Sequence, residues 1–248
     1  MNFLGVKVDD LSLEQALLKV QNFLMLPGQF KIFTPNPEMI VKAQKDENFR
    51  EVLNKGDLNI CDGVGLSLAS GVKRIPGIDF MLETCQIVSE ENKSIFLLGS
   101  WSDEVIQKTA EKLQTRFSGL KIVGWDKGEK ILEKINGHLE YDETKNAEII
   151  KKINNSSANM LFVAFGMGKQ EKWISENLPK LISVKIAMGV GGAFDYISGT
   201  LPRAPRFLRQ IGLEWMYRLI HQPGRICRIF NATIKFIYYF LYYGNGRK

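Results

Sequence analysis

Asp62 stands between the apolar run Leu58–Cys61 and the sequence Gly63-Val64-Gly65. A carboxylate there can face a cleft while two glycines allow a ligand close to the backbone. It could serve as a general base toward a hydroxyl, although Asp-Gly is also an ordinary turn signal, and on spacing alone the turn carries more weight. Thr34 and Asn36 lie on a loop stiffened by Pro35 and Pro37. Their uncharged hydrogen-bonding groups suit the orienting of a sugar, but prolines are common in such loops. The glycine-rich run Gly189–Gly192, with Gly191 and Gly192 at its end, opens what could be a short helix whose amides hold phosphate. Close helix–strand packing explains the same glycines equally well. Gln170 and Glu171, at the start of a helix, could cap it or reach the cleft.

Several chemistries lose support. Neither glycine cluster completes G-x-G-x-x-G after the first strand, and no G-x-x-x-x-G-K-[ST] occurs, which weakens dehydrogenase and P-loop readings. His138 and His221 have no cluster of ligands nearby, and no D-x-D triplet exists, so no metal is expected. Cys61, Cys85 and Cys227 are odd in number and irregularly spaced, which suggests neither disulfides nor a zinc site and fits a reducing compartment. If a diphosphate leaves in the reaction, arginines are the natural groups to stabilise it. Arg218, Arg225 and Arg228 qualify, the last two sharing a helix face. A solvated basic face touching anionic lipid is an equal alternative.

These residues need elements to hold them. Short apolar runs at Phe30–Phe33, Leu58–Cys61, Ser94–Leu98, Leu120–Val123, Met160–Phe165 and Val184–Met188 read as strands. Helical patterns lie at Leu13–Leu26, Pro37–Gln44, Phe80–Glu90, Asp103–Phe117, Glu143–Asn154, Lys169–Leu178 and Phe207–Ile220. The alternation predicts an α/β fold, a mostly parallel sheet with helices on both faces. The unusual residues then fall in loops after strands: Thr34–Glu38, Asp62–Gly65, Gly99-Ser100, Gly166–Glu171 and Gly189–Asp195. Five loops converging on one sheet edge make a cleft there the default ligand site. The polar stretch from Trp125 to Thr144 has no clear period and reads as an excursion from the core.

The net charge of +6 is uneven, because residues 201–248 hold nine Lys/Arg against the single acid Glu214, and ten of the 26 aromatics. This composition change predicts a core over 1–200 and a basic, aromatic appendage over 201–248, broken by Pro223-Gly224 into two helical pieces. Such a tail suits an anionic membrane surface better than nucleic acid. A helix that simply closes the core is the bland alternative. Ile229 to Tyr243 spans about 22 Å as a helix and contains Asn231, Thr233 and Lys235, so it is expected to lie on a bilayer rather than cross it. The N-terminal ten residues show no cleavable apolar run, so export is not signalled.

Taken in order, Thr34-Pro35-Asn36-Pro37-Glu38, Asp62-Gly63-Val64-Gly65, Arg74-Ile75-Pro76-Gly77-Ile78-Asp79, Lys169-Gln170-Glu171-Lys172-Trp173, Gly191-Gly192-Ala193-Phe194-Asp195, Arg203-Ala204-Pro205 and Gly212-Leu213-Glu214-Trp215-Met216-Tyr217-Arg218-Leu219 resemble the WecG/TagA/CpsF glycosyltransferases across nearly the whole chain. Each is weak alone, but their order and spacing together are specific. The chain departs from the family's pattern in a short stretch from Leu66 to Arg74, in Gly168 where proline is common, and in a long Trp125–Thr144 segment.

The resemblance implies a Rossmann-like core and an inverting, metal-independent transferase without a cofactor. The donor would be a UDP-sugar, most commonly UDP-N-acetylmannosamine, and the acceptor undecaprenyl-diphosphate-linked N-acetylglucosamine, in wall teichoic acid or related polysaccharide synthesis. N-acetylmannosaminuronic acid or glucose are alternative sugars. Asp62 matches the catalytic base, while Thr34, Asn36, Arg74 and Gln170 match groups around the sugar and phosphates. Asp195 matches a residue near the nucleotide, and Arg218, Arg225 and Arg228 match arginines on an appendage that closes over the site. The implied location is the inner face of the cytoplasmic membrane, with homo-oligomerisation left open and no nucleic-acid partner. Two readings compete: a nucleic-acid-binding α/β module, and a Rossmann-type enzyme using NAD or S-adenosylmethionine.

Overall fold

The computed structural model describes residues 1–134, 136–221, 224 and 226–243; at Gln210, Arg218, Leu219, Cys227, Arg228, Asn231 and Tyr243 it describes the backbone alone. An N-terminal ribbon, β1 (Asn2–Phe3) and β2 (Val6–Lys7), leads into α1 (Leu13–Met25). Next come β3 (Phe30–Phe33), α2 (Pro37–Ala43), α3 (Glu47–Asn54), β4 (Leu58–Asn59), α4 (Val64–Ser70), α5 (Gly77–Glu90), β5 (Ser94–Gly99), α6 (Asp103–Arg116) and β6 (Lys121–Asp126). A small ribbon, β7 (Leu132–Glu133) and β8 (Leu139–Glu140), precedes α7 (Glu143–Ser156), β9 (Met160–Ala164), α8 (Lys169–Asn177), β10 (Ile186–Gly189) and α9 (Ala193–Ser198). The chain ends in α10 (Arg206–Gln210), α11 (Glu214–His221) and α12 (Ile226–Tyr243).

Six strands form one parallel sheet in the order β4-β3-β10-β9-β5-β6. The strands β5, β9 and β10 are buried along their whole length, as a parallel sheet covered on both faces requires. Successive side chains serve opposite cores. Ile95, Leu97, Met160, Phe162, Ile186 and Met188 pack with residues of α1, α5, α6 and α9. Phe96, Leu98, Leu161, Val163 and Ala187 pack with α2, α3, α7 and α8. The period-2 alternation thus feeds two cores, and parallel strands bring the loops of one sheet edge together.

All six strand positions agree with the sequence reading, β3 to the residue and the other five with shifted ends. The helix expected over Phe207–Ile220 is instead two helices, α10 and α11, divided at Gly212. Gly212 has φ +78°, and a Cβ there would stand 2.7 Å from Val64 Cγ2, so the backbone turns where it meets α4. Two short helices went unread. One is α3, whose N-cap Asp46 accepts the Phe49 amide at 2.9 Å; the other is α4, which begins inside the Asp62 motif.

The excursion after Trp125 is β-structured: β6 runs to Asp126 and β7 pairs antiparallel with β8. One buried cation anchors this hairpin. Lys172 Nζ on α8 lies 2.6 Å from Asp46 Oδ2 and 2.6 Å from Glu133 Oε1, and donates to the Gly137 carbonyl. The Lys172 side chain is 1% exposed. Burial works to raise the Asp46 carboxyl pKa, but the Lys172 hydrogen bond, the Phe49 amide and the charges of Lys172 and Lys42 bring it below the ordinary value.

Beyond residue 200 the chain returns to the core. On α12, Phe236 is buried and stacks on Phe3 at 5.8 Å, and Phe240 stacks on the same ring at 6.2 Å. Phe230, Ile234, Ile237 and Leu241 of the same helix remain exposed. The helix therefore closes part of the core with one face and leaves a second apolar face outward. Among the described residues no helix is long and apolar enough to cross a membrane.

Candidate active site

Four of the five loops expected at the sheet edge line one polar cavity of ≈ 170 Å³: those after β3, β4, β9 and β10 supply Thr34 and Asn36, Asp62, Gly166 and Gln170, and Gly191 and Gly192. The loop after β5 is not part of this wall; the Ser100 amide bonds back to Ala164 O at 3.2 Å. Against the cavity lies a larger one of ≈ 540 Å³, mostly apolar, between α4 and the C-terminal helices. Val64, Leu68, Trp215, Phe236, Ile237 and Phe240 contribute its walls, and Arg74 and Glu214 its polar patches. Asn36, Glu38 and Asp62 line both cavities.

Asp62 is fixed from several sides. Its amide donates to Pro35 O at 3.0 Å, and its Oδ1 accepts the Gly77 amide at 2.8 Å. A Cβ on Gly77 would stand 3.3 Å from Asp62 Oδ2, so this glycine is what lets the start of α5 approach the carboxylate. Asn36 is the N-cap of α2, its Oδ1 accepting the Met39 amide at 3.1 Å, which leaves its NH₂ group as what it can offer a ligand. Thr34, 9% exposed, completes that side.

Opposite, Gln170 and Glu171 do both things the sequence allowed. Glu171 caps α8: its Oε2 accepts the Gly168 amide at 2.7 Å. Gln170 reaches the cavity, where its Oε1 accepts the Gly191 amide at 2.9 Å and its Nε2 donates to Glu171 Oε1 at 2.7 Å. Burial pushes the fully enclosed Glu171 carboxyl up to about 7, against the hydrogen bonds from Gln170 and the backbone that lower it. The glycine-rich loop is more committed than its sequence suggests. The Val190 amide bonds Val163 O, the Ala193 amide bonds Val190 O, and that of Gly191 goes to Gln170. Gly192 lines the polar cavity beside Gly191.

Arg74 faces the larger cavity. Its Nε donates to Asp62 O at 3.2 Å and its Nη1 to Arg209 O at 3.0 Å, with Nη2 3.8 Å from Glu214 Oε2. It links the Asp62 loop to α10 and α11. Asp195 sits in the first turn of α9 beside Gly192, its Oδ2 3.5 Å from the position of a Cβ there, next to the polar cavity but not in its wall. Arg225 lies outside the described residues, as do the side chains of Arg218 and Arg228. Glu38, Gly77 and Tyr196 were not singled out from sequence as site residues. The first two lie inside quoted motifs and Tyr196 follows Asp195, so proximity along the chain was the available signal.

Comparison with known proteins gives a consistent result. The family model described as "Glycosyl transferase WecG/TagA/CpsF family" matches residues 1–248. The chain is similar to the N-acetylglucosaminyldiphosphoundecaprenol N-acetyl-beta-D-mannosaminyltransferase of Bacillus subtilis (strain 168), 33% identical over 200 residues that cover 78% of this chain and 72% of that protein. It is 28% identical to a protein of the same name from Staphylococcus aureus (strain MW2) over 242 residues, covering 94% of this chain and 89% of the relative.

Proposed function

The chain belongs to the WecG/TagA/CpsF glycosyltransferase family, and from that premise we propose that it moves N-acetylmannosamine onto undecaprenyl-diphosphate-linked N-acetylglucosamine, as the names of its relatives suggest, with a UDP-sugar as the donor. One observation carries this reading: Asp62 lies on the seam between a polar cavity and an apolar one. A transferase joining a nucleotide sugar to a lipid-linked sugar needs its base at such a seam. The polar cavity suits the donor, and the apolar groove suits the first isoprene units of the acceptor.

In this reading the Asp62 carboxylate takes the proton of the acceptor hydroxyl, whose oxygen attacks the anomeric carbon in line. The bond from that carbon to the diphosphate breaks, and its electron pair leaves with UDP. One displacement inverts the anomeric centre. Thr34, Asn36 and Gln170 orient the donor sugar, Gly191 and Gly192 let the diphosphate approach the backbone, and Asp195 stands at the nucleotide end. Arg74 faces the acceptor's diphosphate, and Arg218, Arg225 and Arg228 stabilise departing UDP without a metal or other cofactor.

The groove opens among exposed apolar side chains. Leu68 of α4 is 82% exposed and Trp215 of α11 44%, and both line it; Phe207 on α10, Ile211 at its C-cap and Ile220 on α11 are exposed as well. An apolar rim with basic neighbours is suited to peripheral attachment at the cytoplasmic face of the membrane, where the acceptor is held. Incubation with a panel of UDP-sugars and a short-chain lipid-diphosphate N-acetylglucosamine, read by mass, tests the assignment. Addition of one N-acetylhexosamine from UDP-N-acetylmannosamine is expected; no product with any UDP-sugar rejects it.

A further inference from the structure

We infer that Glu171 is a positioning residue for donor binding, its buried carboxylate fixing the amide of Gln170 so that this amide holds the Gly191 loop and presents an N–H to the polar cavity. The inference rests on the donor reading of that cavity given above. Glu171 is 0% exposed and Gln170 3%, and only Gln170 lines the cavity, so Glu171 acts through its neighbour. Each partner of the Gln170 amide bonds in one direction only. The Gly191 N–H can only donate, and an ionised carboxylate can only accept. The amide oxygen must therefore face Gly191, at 2.9 Å, and the amide nitrogen must face Glu171, at 2.7 Å. Two orientations are reduced to one. A primary amide has a second N–H, which is left for the cavity that Gln170 lines.

The packing leaves little slack. A Cβ on Gly189 would lie 2.8 Å from Gln170 Nε2, so the amide sits directly beneath the loop it holds. The second Glu171 oxygen is occupied by the Gly168 amide at 2.7 Å, which ties the carboxylate to the start of α8. The charged groups around it are few. Lys42 approaches from α2, its Nζ 3.1 Å from where a Cβ on Gly168 would stand. Lys172 on α8 is engaged by Asp46 and Glu133, and Glu38 and Asp62 face the same cavity. Burial raises the Glu171 carboxyl to about 7, so as pH falls below neutrality it takes up a proton, one oxygen becomes a hydroxyl, and the acceptor-only carboxylate that fixes the Gln170 amide gives way to a group that can also donate.

The test is the isosteric Glu171→Gln, in which one oxygen must serve two donors while the new NH₂ opposes that of Gln170. The expected result is a rise of about tenfold in KM for the UDP-sugar, the scale of one hydrogen bond to a charged group, with kcat less affected. Donor KM of the wild type should rise on the acid side of pH 7, and that rise should be absent from the variant. The UDP-sugar diphosphate is a diester and stays ionised over this range, so it does not contribute. Thermal unfolding at pH 8 should be unchanged or occur at higher temperature, since a buried charge has been removed. Gln170→Leu should raise donor KM similarly, and the double variant should be no worse than Gln170→Leu alone. Normal donor KM with a wild-type pH profile, or additive effects in the double variant, would overturn the inference. If Glu171→Gln does not fold, the pH dependence of the wild-type donor KM decides: a flat profile from pH 5.5 to 8.5 counts against it. Absence of UDP binding to the wild type by calorimetry removes the donor reading itself, and the inference with it; wild-type binding combined with an unaffected Glu171→Gln removes the inference alone.

Discussion

Carboxylates at two depths do different work around the polar cavity. Asp62 is partly open, held by the Gly77 amide, and shared by both cavities. Glu171 is sealed, and its environment acts on stability as well as on geometry. Its carboxyl, ordinarily near 4.5, titrates at about 7 in the folded protein, so the folded state holds this proton more tightly than the unfolded chain. The favourable contribution of the protonated form is therefore complete below pH 4.5, falls as pH rises through 7, and is gone above it. Removing the charge should make Glu171→Gln gain on the wild type between pH 5 and pH 8, read as a growing difference in urea midpoint. A constant difference would place the titration elsewhere. On spacing alone Asp62 read first as a turn, and it was singled out because its motif, taken in order with the others, resembles that of the family. The direction of the Gln170 amide was not legible, because it depends on a loop 21 residues away.

Elements explain which parts of the site were readable. The alternation of short apolar runs with helical patterns announced the parallel sheet, and the positions of the motifs after the runs announced the loops that line the polar cavity. Short helices were harder: α3 and α4, with eight and seven residues, offer little periodic signal, whereas α2, also seven residues, opens on Asn36-Pro37, a cap with proline at the helix start. The break at Gly212 depends on contact with Val64, far away in sequence. The β7–β8 hairpin was unreadable for a related reason, since its strands have two residues each and its anchor is the distant Lys172. Lys172→Met should leave Asp46 and Glu133 facing each other with only Lys42 nearby, lowering stability by about 3 kcal/mol in denaturant titration. Loss below about 0.5 kcal/mol would show that the hairpin is held by other contacts.

At the scale of the whole molecule, charge, apolar exposure and the two cavities agree in direction. The C-terminal helices form one wall of the apolar groove, carry the exposed rim, and belong to the most basic part of the chain. Replacing Phe207, Ile211 and Trp215 together with Ser should reduce flotation with anionic vesicles, and the wild type should retain part of its binding in high salt. Binding to DNA that collapses with salt, with no vesicle flotation, would favour the nucleic-acid reading instead. Deleting residues after 200 should abolish transfer to the lipid acceptor, because a groove wall and two partners of Arg74, the Arg209 carbonyl and Glu214, are lost. The most direct measurement compares wild type and Asp62→Asn in single-turnover transfer to the short-chain lipid acceptor, with the anomeric configuration of the product read by NMR. Inverted product from the wild type and a rate lowered by roughly two to four orders of magnitude in a folded Asp62→Asn is the result this account expects; retained configuration, or near-normal turnover by the variant, would contradict it.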